Sequence, residues 1–348
     1  MLKRFFGSLS KDLGIDIGTS NTLVYAKDKG IVIQEPSVVA INTRNDQIIA
    51  VGHAAKEMIG KTPAHIVASR PLLDGVVSDF EVAEKMLKYF IDKVHRETFS
   101  VMPRPRVVIT MPLDITEVER KAVEDAVKNA GAREVFLIEQ PMAAAIGSRV
   151  PIQDATGHMI VDIGAGTTGI AVISLGGIVA WKSLRLGGDE LNKNIINYIR
   201  DHCNVLLGDK TAEQAKISIG SAYSDDEVLE AKVRGRDLLS GLPREIVINS
   251  NHIREAMGRS LNTIVDNIKT VIESTPPELV ADIYERGILL SGGTALLRGL
   301  DKKIAHEVRI PVQVVEDPLT AVVRGTGIVL EDIDASKDLF VTTQPDLI

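Results

Sequence analysis

Cysteine is almost missing from this chain. Cys203 is the single one in 348 residues, which excludes a disulfide framework or a cysteine metal cluster within one chain and fits a reducing compartment. A basic excess is missing as well. The formal net charge of -7 gives no case for nonspecific nucleic-acid binding, which would need a basic face, and no nucleic-acid partner is expected. No apolar run approaches the roughly 18 residues of a membrane-spanning helix, and no Ala-x-Ala-like cleavage site follows the short apolar patch at the N-terminus. The protein is expected to stay in the cytoplasm. What is present is the balance of a globular chain, with 45% hydrophobic and 25% charged residues and both charge signs spread along its length. The length suits two domains or two halves of one large fold.

Strand and helix signals alternate. LGIDI (13–17), RVVITM (106–111), VFLI (135–138), MIVDI (159–163), GILLS (287–291) and VQVV (312–315) are short, β-branched, nearly continuous apolar runs, the pattern of strands buried on both faces. Between them, 79–94 sets Ala83, Met86, Leu87, Phe90, Ile91 and Val94 on one side at helical spacing. The segment 116–130 opens with a capping box, Thr116 with Glu119, and stops at Gly131. A third helix is expected over 251–273, carried by Ile253, Met257, Leu261, Ile264, Val265, Ile268 and Ile272 and broken by Pro276 and Pro277. The class is α/β.

Two loops echo one another. DIGTSNT (16–22) and DIGAGTT (162–168) both read Asp, apolar, Gly, then small hydroxylated residues. Each continues into another strand, over 22–26 and 170–175, so each is the tip of a β-hairpin. A Walker P-loop, GxxxxGK[ST], is absent, and so is the Rossmann fingerprint, which needs a helix right after its glycines. The repetition suggests a duplicated fold with a cleft between the halves. Gly18, Gly164 and Gly166 allow the tight turn and close approach that let successive N–H groups converge on an anion. Thr19, Ser20, Asn21, Thr167 and Thr168 add side-chain donors. Asp16 and Asp162 beside phosphates require a cation, and Mg²⁺ keeps its waters while taking one or two carboxylates plus phosphate oxygens. Either loop alone reads better as ordinary Asp-x-Gly turn chemistry; the pair together favours the anion site. A third cluster, LLSGGTALL (289–297), places Gly292 and Gly293 between a strand and a helix, where a planar group can lie against backbone.

The order DIGTSNT, IEQPMAAAIG, DIGAGTT, LSGGTALLRGL, DPLTAVVRGTG resembles the actin, sugar-kinase and heat-shock chaperone ATPase superfamily, and within it the MreB family of bacterial actins. GIVIQEPSVVAI (30–41), RPLLDGVVSDFEVAEKML (70–87), GAREVFLIEQPMAAAIGS (131–148) and TPPELVADIYERGILLSGG (275–293) carry the likeness, which runs from about Leu2 to Leu330. It implies an actin-like fold of two lobes: 1–147 completed by 314–348, with 33–68 as a small subdomain, and 148–313, with 185–248 as a small subdomain. It implies ATP and Mg²⁺ as cofactors, with the nucleotide in the cleft. By position, Asp16 with Gly18, Thr19, Ser20 and Asn21, and Asp162 with Gly164, Ala165, Gly166 and Thr167, would hold phosphates and, through water, the metal. Glu213 and Lys216 would meet ribose and adenine, and Gly292, Gly293 and Thr294 would face the adenosine. Without the resemblance, Glu213 and Lys216 read as a solvated helix pair. The implied function is a slow ATPase that polymerises with its own copies on the inner face of the cytoplasmic membrane. With membrane proteins of the elongation machinery it would organise peptidoglycan synthesis and rod shape.

Departures from the family bear on hydrolysis. Its hydrolytic glutamate, just before a proline, is here Gln140, which cannot act as a general base near neutral pH but can orient a water. Gln140, Asp162 and Thr167 are therefore the catalytic candidates. Gly169 stands where the family has Glu, Ala165 where it has Gly, and Thr294 where it has Gly. A left-handed Ala165 would cost roughly 1 to 2 kcal/mol. Nucleotide binding is expected to persist with slowed hydrolysis.

At the amino-terminal tip, MLKRFFGSLS sets Leu2, Phe5, Phe6 and Leu9 at helical spacing, which suits an amphipathic helix in a membrane interface; a frayed end is the alternative. Phe99, Val101 and Met102 are either a second apolar contact or buried. A sugar or acid kinase is the competing function, using the same hairpins but needing a catalytic carboxylate in a substrate pocket. A chaperone lacks room, because only a short acidic tail follows Leu330.

Overall fold

The computed structural model describes residues 11–96, 104–224 and 227–341. Leu2, Phe5, Phe6 and Leu9, together with Phe99, Val101 and Met102, lie outside the described residues. The chain divides into two compact units: Met1–Ala155 with Ile173–Ile178 and Leu319–Ile348, and Thr156–Val172 with Val179–Pro318. Within the first unit Gly176 N donates to Ile152 O at 2.7 Å and Leu175 N to Asp154 O at 3.0 Å; within the second, Val315 N bonds Leu290 O and Gly292 N bonds Pro318 O, both at 3.0 Å.

The first unit is built on β1 (Leu13–Ile17), β2 (Asn21–Ala26), β3 (Gly30–Pro36), β4 (Arg106–Met111) and β5 (Glu134–Glu139), in the order β5-β4-β1-β2-β3. β1, β4 and β5 run parallel, and β2 and β3 fold back antiparallel. The central strands are the apolar runs, and Leu13, Ile15, Val107 and Ile109 are wholly buried, each worth roughly 1.5–3 kcal/mol of transfer free energy. Helices α1 (Phe80–Arg96) and α2 (Glu117–Asn129) supply apolar stripes to the same core; all six residues expected on α1 are buried, and five of them, Met86, Leu87, Phe90, Ile91 and Val94, join this cluster. The Thr116–Glu119 capping box has both of its hydrogen bonds. A smaller antiparallel sheet holds Gln47–Val51, Val39–Asn42 and Ile66–Ser69.

Helix α3 (Gln140–Gly147) leaves the end of β5 and lies against the chain's last long helix, Ala321–Glu331. Their backbones touch. A Cβ on Gly147 would sit 1.8 Å from Ala321 O, and one on Gly325 1.9 Å from Ala143 O, so only glycine permits this crossing. The packing fixes where α3 begins, and hence where Gln140 stands.

The second unit repeats the plan with β6 (His158–Ile163), β7 (Thr168–Ser174), β8 (Gly177–Leu184), β9 (Ile288–Ser291) and β10 (Val312–Val314), in the order β8-β7-β6-β9-β10. β6, β9 and β10 are parallel. Helices α4 (Gly188–Cys203), α5 (Asp209–Ile219) and α6 (Ser250–Ser274) pack on this core. On α6 the expected stripe is fully buried from Ile253 to Ile268, and Ile272 packs at its edge. Glu230–Asp237 and Pro243–Asn249 form an antiparallel ribbon beside Val205–Leu206.

Candidate functional site: two acidic hairpins

In the first unit Asp16 stands on β1 one residue before the end of the strand, where alternation brings its side chain beside the neighbouring parallel strand β4. Thr110 Oγ1 donates to Asp16 Oδ1 at 2.8 Å, and the Gln140 side chain also hydrogen-bonds this carboxylate. Burial dominates over both bonds and pushes the Asp16 pKa up to about 6. Ionising such a carboxyl costs more than ionising an exposed one, and a nearby cation would offset that cost. Glu139, beside Gln140, is likewise raised by burial.

The turn after Asp16 is closed by Gly18 N donating to Asn21 O at 3.0 Å. Its outward parts are tied to neighbours: Ser37 Oγ donates to Gly18 O at 2.6 Å, Ser37 N to Ser20 O at 2.9 Å, and Gly75 N to Thr19 Oγ1 at 3.0 Å. Gly18 is not among the glycines with positive φ. Its need is steric, because a Cβ would lie 2.8 Å from Asn21 O.

In the second unit Asp162 is buried near the end of β6, in register with Ser291 of β9. The turn bond recurs, Gly164 N to Thr167 O at 2.9 Å. Gly164 O accepts from Gly188 N at 3.0 Å and from Thr294 Oγ1 at 2.8 Å, and Ala165 O accepts from Asp189 N at 2.8 Å. The first turn of α4 thus grips the loop from behind. Gly187 is obligatory there, since a Cβ would stand 2.6 Å from Ala165 O and 2.7 Å from Gly164 O. Ala165 is not among the residues with positive φ, so the strain anticipated for a left-handed alanine does not arise. Gly169 lies on β7, and Thr168 Oγ1 donates to Leu186 O at 2.7 Å.

The second unit also gathers the residues expected at the nucleoside. Gly292 has φ 84 and its Cβ would lie 2.4 Å from Ile163 O, so this glycine is required both by conformation and by the adjacent strand. Gly293 opens a short 3₁₀ turn, Gly293–Leu296, that carries Thr294. From α5, Lys216 Nζ donates to Gly188 O at 2.7 Å. Burial lowers the Lys216 pKa, with Glu213 and Asp189 opposing the shift. Thr294, Lys216 and Gly188 therefore converge: a Cβ on Gly188 would be 2.9 Å from Thr294 Oγ1 and 3.1 Å from Lys216 Nζ. Sequence reasoning missed Thr110, Ser37, Gly187, Gly188 and Asp189. Thr110 leaves a trace as the lone hydroxyl in RVVITM, and the others act through contacts that no local pattern announces.

Among the described residues, no three His, Cys, Asp or Glu side chains gather into a metal cluster. Among the same residues, no helix is long and apolar enough to cross a membrane.

Residues 10–338 match the family model described as MreB/Mbl protein. The chain belongs to the MreB/Mbl family. The cell shape-determining protein MreB of Escherichia coli is 54% identical over 347 residues, spanning 98% of this chain and 99% of that protein. The cell shape-determining protein Mbl of Bacillus subtilis is 47% identical over 325 residues, spanning 93% and 97%. The crystal structure of MreB5 of Spiroplasma citri bound to ADP has a TM-score of 0.89 at 36% identity, covering 94% of this chain and 98% of that one. A MamK double helical filament, with a TM-score of 0.79 at 24% identity, shares the fold. The fold is that of the actin-like ATPases, and the MreB/Mbl family is one of actin-like, cell shape-determining proteins. The kinase alternative gains no support from these relatives.

Proposed function

We propose that this MreB/Mbl protein binds ATP with Mg²⁺ and assembles with copies of itself into filaments on the inner face of the cytoplasmic membrane. There, with membrane proteins of the elongation machinery, the filaments organise peptidoglycan synthesis and maintain rod shape. The observation that carries the nucleotide reading is the duplicated hairpin: an acidic strand end, the same closing hydrogen bond, and tethered loop carbonyls, once in each unit. The Spiroplasma citri MreB5 structures, bound to ADP and to AMPPNP, support it.

Asp16 and Asp162 would hold hydrated Mg²⁺, which when bound offsets the charge of the phosphates. Gly18 to Asn21 and Gly164 to Thr167 would cradle those phosphates. Glu213, Lys216, Gly292 and Gly293 would meet the nucleoside. Gln140 donates its amide to a carboxylate, so its carbonyl oxygen can accept from a water and orient it without taking its proton. Hydrolysis is accordingly slow. The tip residues Leu2, Phe5, Phe6 and Leu9 supply the membrane contact.

Sedimentation and electron microscopy with ATP, GTP or no nucleotide, with and without liposomes, test the whole reading. Polymer that forms with ATP and co-sediments with lipid is expected, and deletion of Met1 to Gly7 should abolish the lipid part alone. Protein that stays monomeric under every condition would count against the filament, and unchanged lipid binding after the deletion would count against the tip.

A further inference from the structure

Both hairpins present the same peptide to a hydroxyl that comes from outside the loop. In the first unit Ser37, just past β3, donates from Oγ to Gly18 O at 2.6 Å. In the second, Thr294, just past β9, donates from Oγ1 to Gly164 O at 2.8 Å. Gly18 and Gly164 occupy the same place in the duplicated turn, each donating its own N–H to the carbonyl three residues on.

A serine hydroxyl has one proton. Since Ser37 gives its proton to Gly18 O, the 2.8 Å contact between Thr22 Oγ1 and Ser37 Oγ has Thr22 as donor. Thr22 and Ser37 are wholly buried, so this relay has no water to exchange with. Thr294 is buried as well, and its hydroxyl is directed at a loop carbonyl that also accepts from Gly188 N.

A trans peptide is planar, and its C=O and N–H point in opposite directions. Holding Gly18 O fixes the Thr19 N–H on the other side of that peptide, and holding Gly164 O does the same for the Ala165 N–H. We infer that Ser37 and Thr294 are paired positioning residues: each hydroxyl locks the peptide whose N–H receives the nucleotide's phosphate chain, so that Thr294 serves phosphates rather than adenosine. This rests on the nucleotide reading above. It also gives Thr294, where the family usually has glycine, a defined task beside Ala165, the other replaced glycine, because the hydroxyl restrains the very peptide that links Gly164 to Ala165.

The test measures Kd for ATP, ADP and AMP at saturating Mg²⁺ on the full chain and on Thr294→Val, Thr294→Ser and Ser37→Ala, with thermal unfolding as a check on folding. Thr294→Val keeps the shape and deletes the donor. Loss of one such hydrogen bond should weaken ATP and ADP about tenfold and leave AMP within about twofold, and Thr294→Ser should restore the wild-type values. Ser37→Ala should shift the same ratio from the other unit, which decides the matter if Thr294→Val does not fold. ATP and AMP weakened in equal proportion, or ATP affinity unchanged in both variants, overturns the proposal while nucleotide binding stands. Wild-type protein that binds none of the three nucleotides overturns the nucleotide reading and this proposal with it.

Discussion

The carboxamide of Gln140 hydrogen-bonds the carboxylate of Asp16, which also accepts from Thr110 Oγ1 at 2.8 Å. A carboxylate can only accept, so the Gln140 nitrogen is the donor, which leaves its carbonyl oxygen available as an acceptor. A glutamate in this place would set two half-buried carboxyl groups against each other, and like charges at that range raise the cost of ionising both. The substitution at 140 therefore exchanges a possible base for a quieter resting state.

Gln140→Glu should speed ATP cleavage and loosen the nucleotide-free protein. A positioned base is worth roughly 10²-fold or more in rate, and the like-charge contact should remove about 1–3 kcal/mol of stability at neutral pH. Single-turnover phosphate release and urea unfolding measure the two effects. An unaltered release rate would show that the missing base does not limit hydrolysis.

Asp16 gives the nucleotide-free protein a pH dependence of definite sign. Its folded pKa of about 6 exceeds the ordinary 3.8, so the folded state holds the proton more tightly than the unfolded chain does. That contribution is full below about pH 4 and is lost as pH rises through 6, a cost of up to about 3 kcal/mol at 1.36 kcal/mol per pK unit. Asp16→Asn should then match wild type near pH 3.5 and exceed it by about 1–3 kcal/mol at pH 8, and it should gain far less from Mg²⁺ and ATP together. Urea titrations at the two pH values decide it; a variant less stable than wild type at pH 8 contradicts the burial penalty.

Much of this was legible in the sequence, and the reason is periodicity. The stripe from Ala83 to Val94 and the Thr116–Glu119 box are local patterns, and both stand as read, with ends displaced by only a residue or two. The acidic turns were legible because the motif repeats. Their surroundings were not. Ser37 and Asp189 brace loops that lie 17 or more residues away in sequence, Ser37 on Ser20 and Asp189 on Ala165, and such pairings depend on how strands and helices stack. Lys216 shows the same limit: helical spacing with Glu213 suggests a solvated pair, yet its ammonium is drawn in to Gly188 O. The role of Gly147 was equally silent, for nothing in QPMAAAIG announces a second helix within touching distance.

Glycine to alanine should change sign between two helices. At Gly147 or Gly325 the new methyl meets backbone at under 2 Å, so the helices must part, at a cost of about 1–3 kcal/mol or more. At Gly258, within α6, no heavy atom lies within 4 Å of the added carbon, and alanine should add about 0.5–1 kcal/mol through helix propensity. Denaturant midpoints of the three variants test the contrast. Equal stability for Gly147→Ala and wild type would mean that the helices do not cross so closely.

Ala165→Gly is the reversion that the family pattern invites, and it should not help. Ala165 is not among the residues with positive φ, so alanine bears no left-handed strain for glycine to relieve. Its carbonyl is already held by Asp189 N at 2.8 Å, which keeps the peptide in place whichever residue stands there. What glycine brings is a more disordered unfolded chain, a loss of about 0.4–1 kcal/mol on folding. The variant should therefore unfold at slightly lower denaturant with ATP affinity unchanged, as read by urea titration and nucleotide binding on the same preparation. A gain in stability would mean that the alanine side chain is strained where the backbone angles place none.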